Sequence, residues 1–184
     1  MSLTLDRPPT LDDLVAHDRP ALMALFRTLQ APARAEMNGD FLSALPAYAE
    51  AEWRESMRRV GKDFWLGKSY LPQPHKGHQG HGHNRYRTAD GRTRRESRFV
   101  WDIAPSTIDG NPSLVMRYAA FPNWGGAHDL IDEVRVVRPN LYLGLYHTAT
   151  PVPGFTPRPG GTRSGIEFFI LSGPVAAYVP AQND

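Results

Sequence analysis

The sequence predicts a mainly β protein, an antiparallel up-and-down barrel of about eight strands preceded by one or two helices. Three observations lead there. From residue 64 onward, short runs alternate apolar with polar residues, the period of a strand with one face buried. Turn chemistry separates the runs: Ala89-Asp90-Gly91 and Ile108-Asp109-Gly110-Asn111 carry the Asp-Gly hairpin signal, and Arg138-Pro139-Asn140 breaks the chain between two further runs. Strands that follow one another through tight turns form a meander, and closing it into a barrel removes the two edges it would otherwise expose.

The elements follow in order. Leu22, Leu25, Phe26 and Leu29 are spaced as one face of a helix, with Asp18 as its cap and Pro20 in its first turn. A second helix is predicted over Ala47–Val60, where Tyr48, Trp53, Met57 and Val60 supply the buried contacts. Strands are predicted near Gly39–Leu45 and over Phe64–Leu71, His81–Thr88, Thr93–Ile103, Ser113–Phe121, Asp129–Val137, Leu141–Thr148 and Ile166–Ser172. Pro151–Gly161 holds too many prolines to donate to a sheet and reads as a loop or flap. The whole is read as a single domain over 1–184, divided into an arm and helix (1–35), a barrel (36–174) and a tail (175–184).

Composition narrows the function. The 184 residues are 41% hydrophobic and 22% charged with a net charge of +2, a globular balance without the basic excess of a nucleic-acid binder. The densest basic stretch, Arg85 to Arg98, reads as a hairpin with arginines outside. With no cysteine there is no disulfide, thiolate ligand or cysteine nucleophile. No signal peptide or membrane-length apolar run is present, so the expectation is a cytoplasmic protein with neither nucleic acid nor membrane as partner. Glycine-rich phosphate loops, Gly-x-Ser-x-Gly elbows and His-Glu-x-x-His helices are missing, and the residues name no cofactor. A homodimer is expected, because the N-terminal helix and outward apolar residues need cover.

Several phrases taken together carry a resemblance: Glu36-Met37-Asn38-Gly39-Asp40-Phe41, Trp65-Leu66-Gly67-Lys68, Gly82-His83-Asn84-Arg85-Tyr86, Asp109-Gly110, Asp132-Glu133-Val134-Arg135 and Leu141-Tyr142-Leu143-Gly144. Their order resembles small bacterial calycin-like, or lipocalin-like, β-barrel proteins, and is loosely similar to the domains named for a Gly-x-Trp-x-Gly motif. The resemblance spans residues 36–174. At the first motif, Gly39-Asp40-Phe41-Leu42-Ser43 lacks both the tryptophan and the second glycine. The resemblance implies a barrel with an internal pocket and no particular reaction.

Three constellations could carry chemistry. His75 to His83, HKGHQGHGH, packs four of the seven histidines into nine residues. On a strand His81 and His83 share a face, as two ligands of one metal must, which makes them weak metal candidates. Gly77, Gly80 and Gly82 loosen the stretch, and no carboxylate lies within it. The second constellation is the barrel lining. On Thr93–Ile103 the face with Arg95, Ser97, Phe99, Trp101 and Ile103 is the better interior candidate. Leu114, Met116 and Tyr118 alternate with their neighbours, as do Tyr142, Gly144 and Tyr146 opposite Leu141, Leu143, Leu145 and His147. Such residues line a pocket or simply fill a small barrel, and both readings stay open. The third is Glu133 and Arg135. Facing inward they would hold a polar or acidic ligand, and facing outward they would form a surface ion pair.

The leading expectation is a barrel that binds a small, largely apolar molecule carrying a polar or acidic group. Its ligand-binding residues would be His83, Asn84, Tyr86, Arg95, Trp101, Tyr118, Glu133, Arg135, Tyr142 and His147. Two alternatives stand beside it. One is a small barrel enzyme (isomerase, cyclase or hydrolase) that pairs His83 or His147 with Glu133 or Asp132. The other is a metal- or haem-binding protein using the histidine stretch.

Overall fold

Two short helices lead the chain. Asp13 N donates to Thr10 Oγ1 at 3.3 Å and Thr10 N to Asp13 Oδ2 at 2.8 Å, a reciprocal cap that starts α1 (Leu11–Ala16). Asp18 accepts from Ala21 N at 2.9 Å and starts α2 (Arg19–Phe26), with Pro20 in its first turn as expected. The computed structural model describes residues 7–59, 62, 64–123, 130–148 and 165–181. Val60 and Pro151–Gly161, which entered the expectations above, lie outside them.

The strands are β1 (Gly39–Ala44), β2 (Phe64–Leu71), β3 (Gly80–Arg87), β4 (Thr93–Pro105), β5 (Pro112–Arg117), β6 (Leu130–Arg138), β7 (Leu141–Thr148) and β8 (Glu167–Ala176). Each pairs antiparallel with the next, and β8 returns to β1 through Leu42↔Ser172 and Ala44↔Ile170, so the eight strands close into a barrel. A third helix, α3 (Ala47–Arg59), connects β1 to β2 at one end. Its Trp53 and Met57 pack on the barrel interior, whereas Tyr48, an expected buried contact, is exposed.

Closure sorts the side chains into two cores. The interior holds Phe41, Trp65, Tyr70, Tyr86, Phe99, Trp101, Leu114, Met116, Tyr118, Val134, Tyr142, Phe169 and Leu171. Outside, Leu14, Leu22 and Phe26 of α1 and α2 cover Leu141, Leu143 and Leu145 of β7 and Phe168 and Ile170 of β8. The chain's own helices thus supply the cover for this outer apolar face.

Room inside is made by glycines. Gly80 faces Trp101, Gly82 faces Phe99 and Gly144 faces Phe169, each as a direct cross-strand pair. A Cβ would come within 2.3 Å of the Trp101 ring at Gly80, 2.8 Å of the Phe99 ring at Gly82 and 2.2 Å of the Phe169 ring at Gly144. In each pair the ring lies over the bare backbone of its neighbour, which both fills the lumen and pins the register.

One expectation of facing and one of strand length are corrected. Arg95 does not share a face with Phe99 and Trp101. Ser97, at φ 56°, sits in a bulge where the β3–β4 register shifts from His83↔Arg98 to Asn84↔Glu96. The extra residue reverses the parity, so Arg95 pairs with Arg85 on the outside. The expected strand over Ser113–Phe121 also ends early, at Arg117, followed by a 3-10 turn over Tyr118–Ala120. Asn123 stabilises that turn: its side chain accepts from Arg98 N at 2.8 Å and donates to Arg98 O at 2.8 Å and Tyr118 O at 2.9 Å, standing in for a strand partner.

On the outer face, Arg135 joins three elements. Its guanidinium is fully buried, forks onto Asp109 at 2.8 and 2.6 Å, and donates to Phe26 O at 2.9 Å and Asn111 O at 3.1 Å. Hydrogen bonds from Arg135 hold the Asp109 carboxyl down at about 2. Because this folded value lies below that of a free carboxyl, the pairing stabilises the fold fully above about pH 4 and less as pH falls toward 2. Between those limits urea denaturation should show wild type losing more stability than Asp109→Asn. Parallel acid limbs would refute the assignment. Gly144→Ala should cost about 1–3 kcal/mol by forcing the Phe169 ring aside, and Phe169→Leu in that background should return part of it.

Candidate functional site

Four interior polar side chains converge on one point, while Glu96, nearer the mouth, pairs separately with Lys62 at 2.6 Å over the Tyr86 ring. β2 bulges at its start, where its pairing with β3 shifts between Trp65 and Gly67, and the following alternation turns Lys68 and Tyr70 inward. Asn84 on β3, Asp132 on β6 and Tyr118 after β5 point to the same spot. Lys68 Nζ donates to Asp132 Oδ2 at 2.6 Å, Tyr118 OH at 2.6 Å and Asn84 Oδ1 at 2.8 Å. Tyr118 OH donates to Asp132 Oδ2 at 2.8 Å and accepts from Asn84 Nδ2 at 3.2 Å. All three ammonium protons thus have acceptors. Lys68 and Asp132 are 2% and 4% exposed, so this is an ion pair inside a hydrophobic core.

Aromatic rings enclose the charge. The centroids of Trp65, Phe99, Tyr118 and Phe169 lie 5.2–5.4 Å from Lys68 Nζ, within cation–π range. Burial pulls the Lys68 ammonium below the usual lysine range, against the opposing pull of Asp132. Burial also raises the Tyr118 phenol well above its usual value, and the neighbouring Asp132 adds to the rise. The group can therefore hold a proton between a carboxylate, an amine and a phenol that lie within 2.8 Å of one another along the Lys68–Asp132–Tyr118 edges.

Above this group lies the mouth under α3. Trp53 packs on Trp65 at 5.3 Å between centroids, and Trp65 meets Phe169 edge-on at 5.5 Å. A hollow of about 220 Å³ opens at this rim between α1, α3 and the ends of β1 and β2, lined by Val15, Ala44, Leu45, Trp53, Phe64 and Trp65 with Glu50 and Arg54 at its edge; of the Lys68 cage it touches Trp65 alone. Trp65 is thus a wall shared between the hollow and the Lys68 cage. A cavity of about 150 Å³ is enough for benzene, so the space suits a single ring with a small substituent.

The expected site residues divide between the two faces. Asn84, Tyr86, Trp101, Tyr118 and Tyr142 line the interior. Trp101 Nε1 donates to His81 O at 3.1 Å, and Tyr142 packs edge-on against Phe41 at 5.6 Å. His83, Arg95, Glu133, Arg135 and His147 lie outside. Glu133 and Arg135 do not pair with each other, and neither faces inward: the β6 residues that enter the lumen are Asp132 and Val134. Glu133 instead accepts from Thr107 N at 2.8 Å and Thr107 Oγ1 at 2.6 Å, and Thr107 Oγ1 lies 2.8 Å from His147 Nε2. Burial alone would raise the Glu133 carboxyl, but His147 at 3.9 Å, the nearby Ser106 and the hydrogen bonds from Thr107 outweigh it and lower it. This cluster ties the β4–β5 turn to β6 and β7.

The histidine stretch is ordered rather than loose. His75 and His78 exchange backbone hydrogen bonds at 3.1 and 2.9 Å around Lys76 and Gly77, whose φ values of 49° and 81° make a tight hairpin turn. His78 Nδ1 contacts Asp102 at 2.6 Å, His75 stacks on Phe121 at 5.5 Å, and His83 meets the Tyr178 ring at 5.3 Å. Gly80 and Gly82 serve the interior rings rather than looseness. Among the described residues no group of three or more histidines and carboxylates could hold a metal ion. None of His75, His78, His81, His83 and His147 enters the lumen.

The residues not anticipated as a site are Lys68 and three of the four rings around it, Trp65, Phe99 and Phe169. One signal was available. Of 21 basic residues only three are lysine, and one of those stands in strand register with Tyr70.

No known protein family and no curated protein matches the sequence. Among solved structures, a protein from Thermomonospora curvata is similar, with a TM-score of 0.57 and 18% identity over 85% of this chain and 88% of that one. At that identity the similarity is one of fold. Among the described residues no helix is long and apolar enough to cross a membrane.

Breaking a buried ion pair strands a charge, so Lys68→Met and Asp132→Asn should each cost about 3–5 kcal/mol. Lys68→Met with Asp132→Leu should stay within about 1 kcal/mol of wild type or exceed it, as measured by urea denaturation. A double variant as unstable as either single one would mean that the pair itself holds the barrel together.

Proposed function

We propose that the chain is a calycin-like binding barrel that takes a small, largely apolar molecule carrying a polar or acidic group, seated under α3 with that group directed toward Lys68. One observation carries the reading: an ammonium and a carboxylate buried at the centre of an aromatic lumen. Withdrawing two charges from water costs several kcal/mol for each ion, and a lumen that served only as a core would be at least as stable filled with apolar side chains. The aromatic walls supply apolar contact, and Lys68, Asn84 and Tyr118 supply the polar partners that orient a ligand. Tyr86 and Tyr142 extend the wall. The hollow beside Trp65 supports a ligand of single-ring size.

Native mass spectrometry of tag-free protein tests for a retained ligand, and calorimetric titration with benzoate and with benzyl alcohol tests the chemistry. Benzoate should bind in the sub-millimolar range and at least about tenfold more tightly than benzyl alcohol, a difference of about 1.4 kcal/mol. The preference should vanish in the Lys68→Met, Asp132→Leu double variant. A clean apo mass together with no heat from either compound would refute the reading.

A further inference from the structure

We infer that Lys68 forms a reversible Schiff base with a small aromatic carbonyl compound held in the barrel. The inference rests on the binding reading above and names the ligand's polar group as an aldehyde or ketone.

The argument comes from which cation the chain uses where. Buried ion pairs on the outer face use arginine: Arg85 lies 3.1 Å from Asp40 and Arg135 lies 2.6 Å from Asp109. Arginine suits that work because its planar fork pairs bidentately and keeps its proton at any accessible pH. The chain has 21 basic residues, and only Lys62, Lys68 and Lys76 are lysines. The two buried cations on the inner side are both lysines, Lys62 paired with Glu96 at 2.6 Å over the Tyr86 ring at the mouth and Lys68 in the tetrad, and lysine is the type whose nitrogen becomes a nucleophile once it loses a proton. A desolvated amine among apolar walls is the usual way to activate it. Here Asp132 Oδ2 is 2.6 Å away to accept that proton, and the Tyr118 hydroxyl touches both groups.

The step balances with these residues alone. Asp132 takes a proton from the Lys68 ammonium, leaving a neutral amine and a neutral acid. The nitrogen lone pair forms a C–N bond as the carbonyl π pair moves to oxygen. A proton passes from nitrogen to that oxygen through the Tyr118 hydroxyl. Asp132 then returns its proton to the new hydroxyl, which leaves as water while C=N forms. One ammonium and one carbonyl become one protonated imine and one water. The imine keeps the positive charge opposite the Asp132 carboxylate, where the ammonium stood.

The test treats the full chain with benzaldehyde and sodium cyanoborohydride, then maps the adduct by peptide mass spectrometry. Binding of benzaldehyde is measured separately by calorimetry without reductant. One benzyl group per chain is expected, on Lys68, formed at least about tenfold faster than on Lys62, Lys76 or the amino terminus. Lys68→Arg should abolish that adduct and leave the slow ones unchanged, and the wild-type map decides the matter even if this variant does not fold. Benzaldehyde binding without an adduct on Lys68, or adducts spread evenly over the amines, would overturn the inference and leave the binding reading standing. If neither benzaldehyde nor benzoate binds, both fall.

Discussion

Ring closure governs this molecule. Once β8 pairs with β1, each strand has two neighbours, and a residue's parity decides whether it enters the lumen or faces out. Too many large rings point inward for the lumen to hold unless some positions carry no side chain at all. The Gly–ring pairs meet that constraint, since each opposes a ring to bare backbone across one register position. The polar tetrad depends on the same closure. Lys68, Asn84, Tyr118 and Asp132 come from four stretches of chain and meet only when the ring is complete.

Most of the strand boundaries were legible because the turns are local chemistry. Asp90-Gly91 and Asn140, at φ 62°, mark hairpins in the sequence itself, and the strands between them follow from alternation. Facing was harder to read. Ser97 reverses the parity of β4 by a backbone conformation that the alternation pattern does not register. β6 is buried on both sides, by the lumen and by the turn over Asp109, so its pattern does not say which of Asp132 and Glu133 enters. The short α1 was not anticipated, although Thr10 and Asp13 carry its capping signature. For the site, the aromatic half was visible from strand periodicity. Lys68 and Asp132 are 64 positions apart, and nothing local joins them.

The two kinds of buried charge separate structure from chemistry. Outside the barrel, Arg85 and Arg135 bond to backbone carbonyls as well as carboxylates, and so tie strands and turns together. Such pairs serve by being immovable. Inside, each of Lys68's three hydrogen bonds goes to a side chain, and to no backbone group. A group connected only to side chains can exchange protons and partners without disturbing the strands that carry it.

The helical cover on β7 and β8 bears on how the chain reaches its fold. Leu14, Leu22 and Phe26 are among the first apolar residues of the sequence, yet their partners lie at residues 141–170. The inner face of β1 likewise waits for Tyr142 and Phe169. On a ribosome, the amino-terminal apolar surface would remain wet while some hundred residues are added, roughly 5–20 s at ordinary elongation rates. The nascent chain therefore carries an uncovered apolar surface for that interval, and the barrel can seal only once β8 has been made.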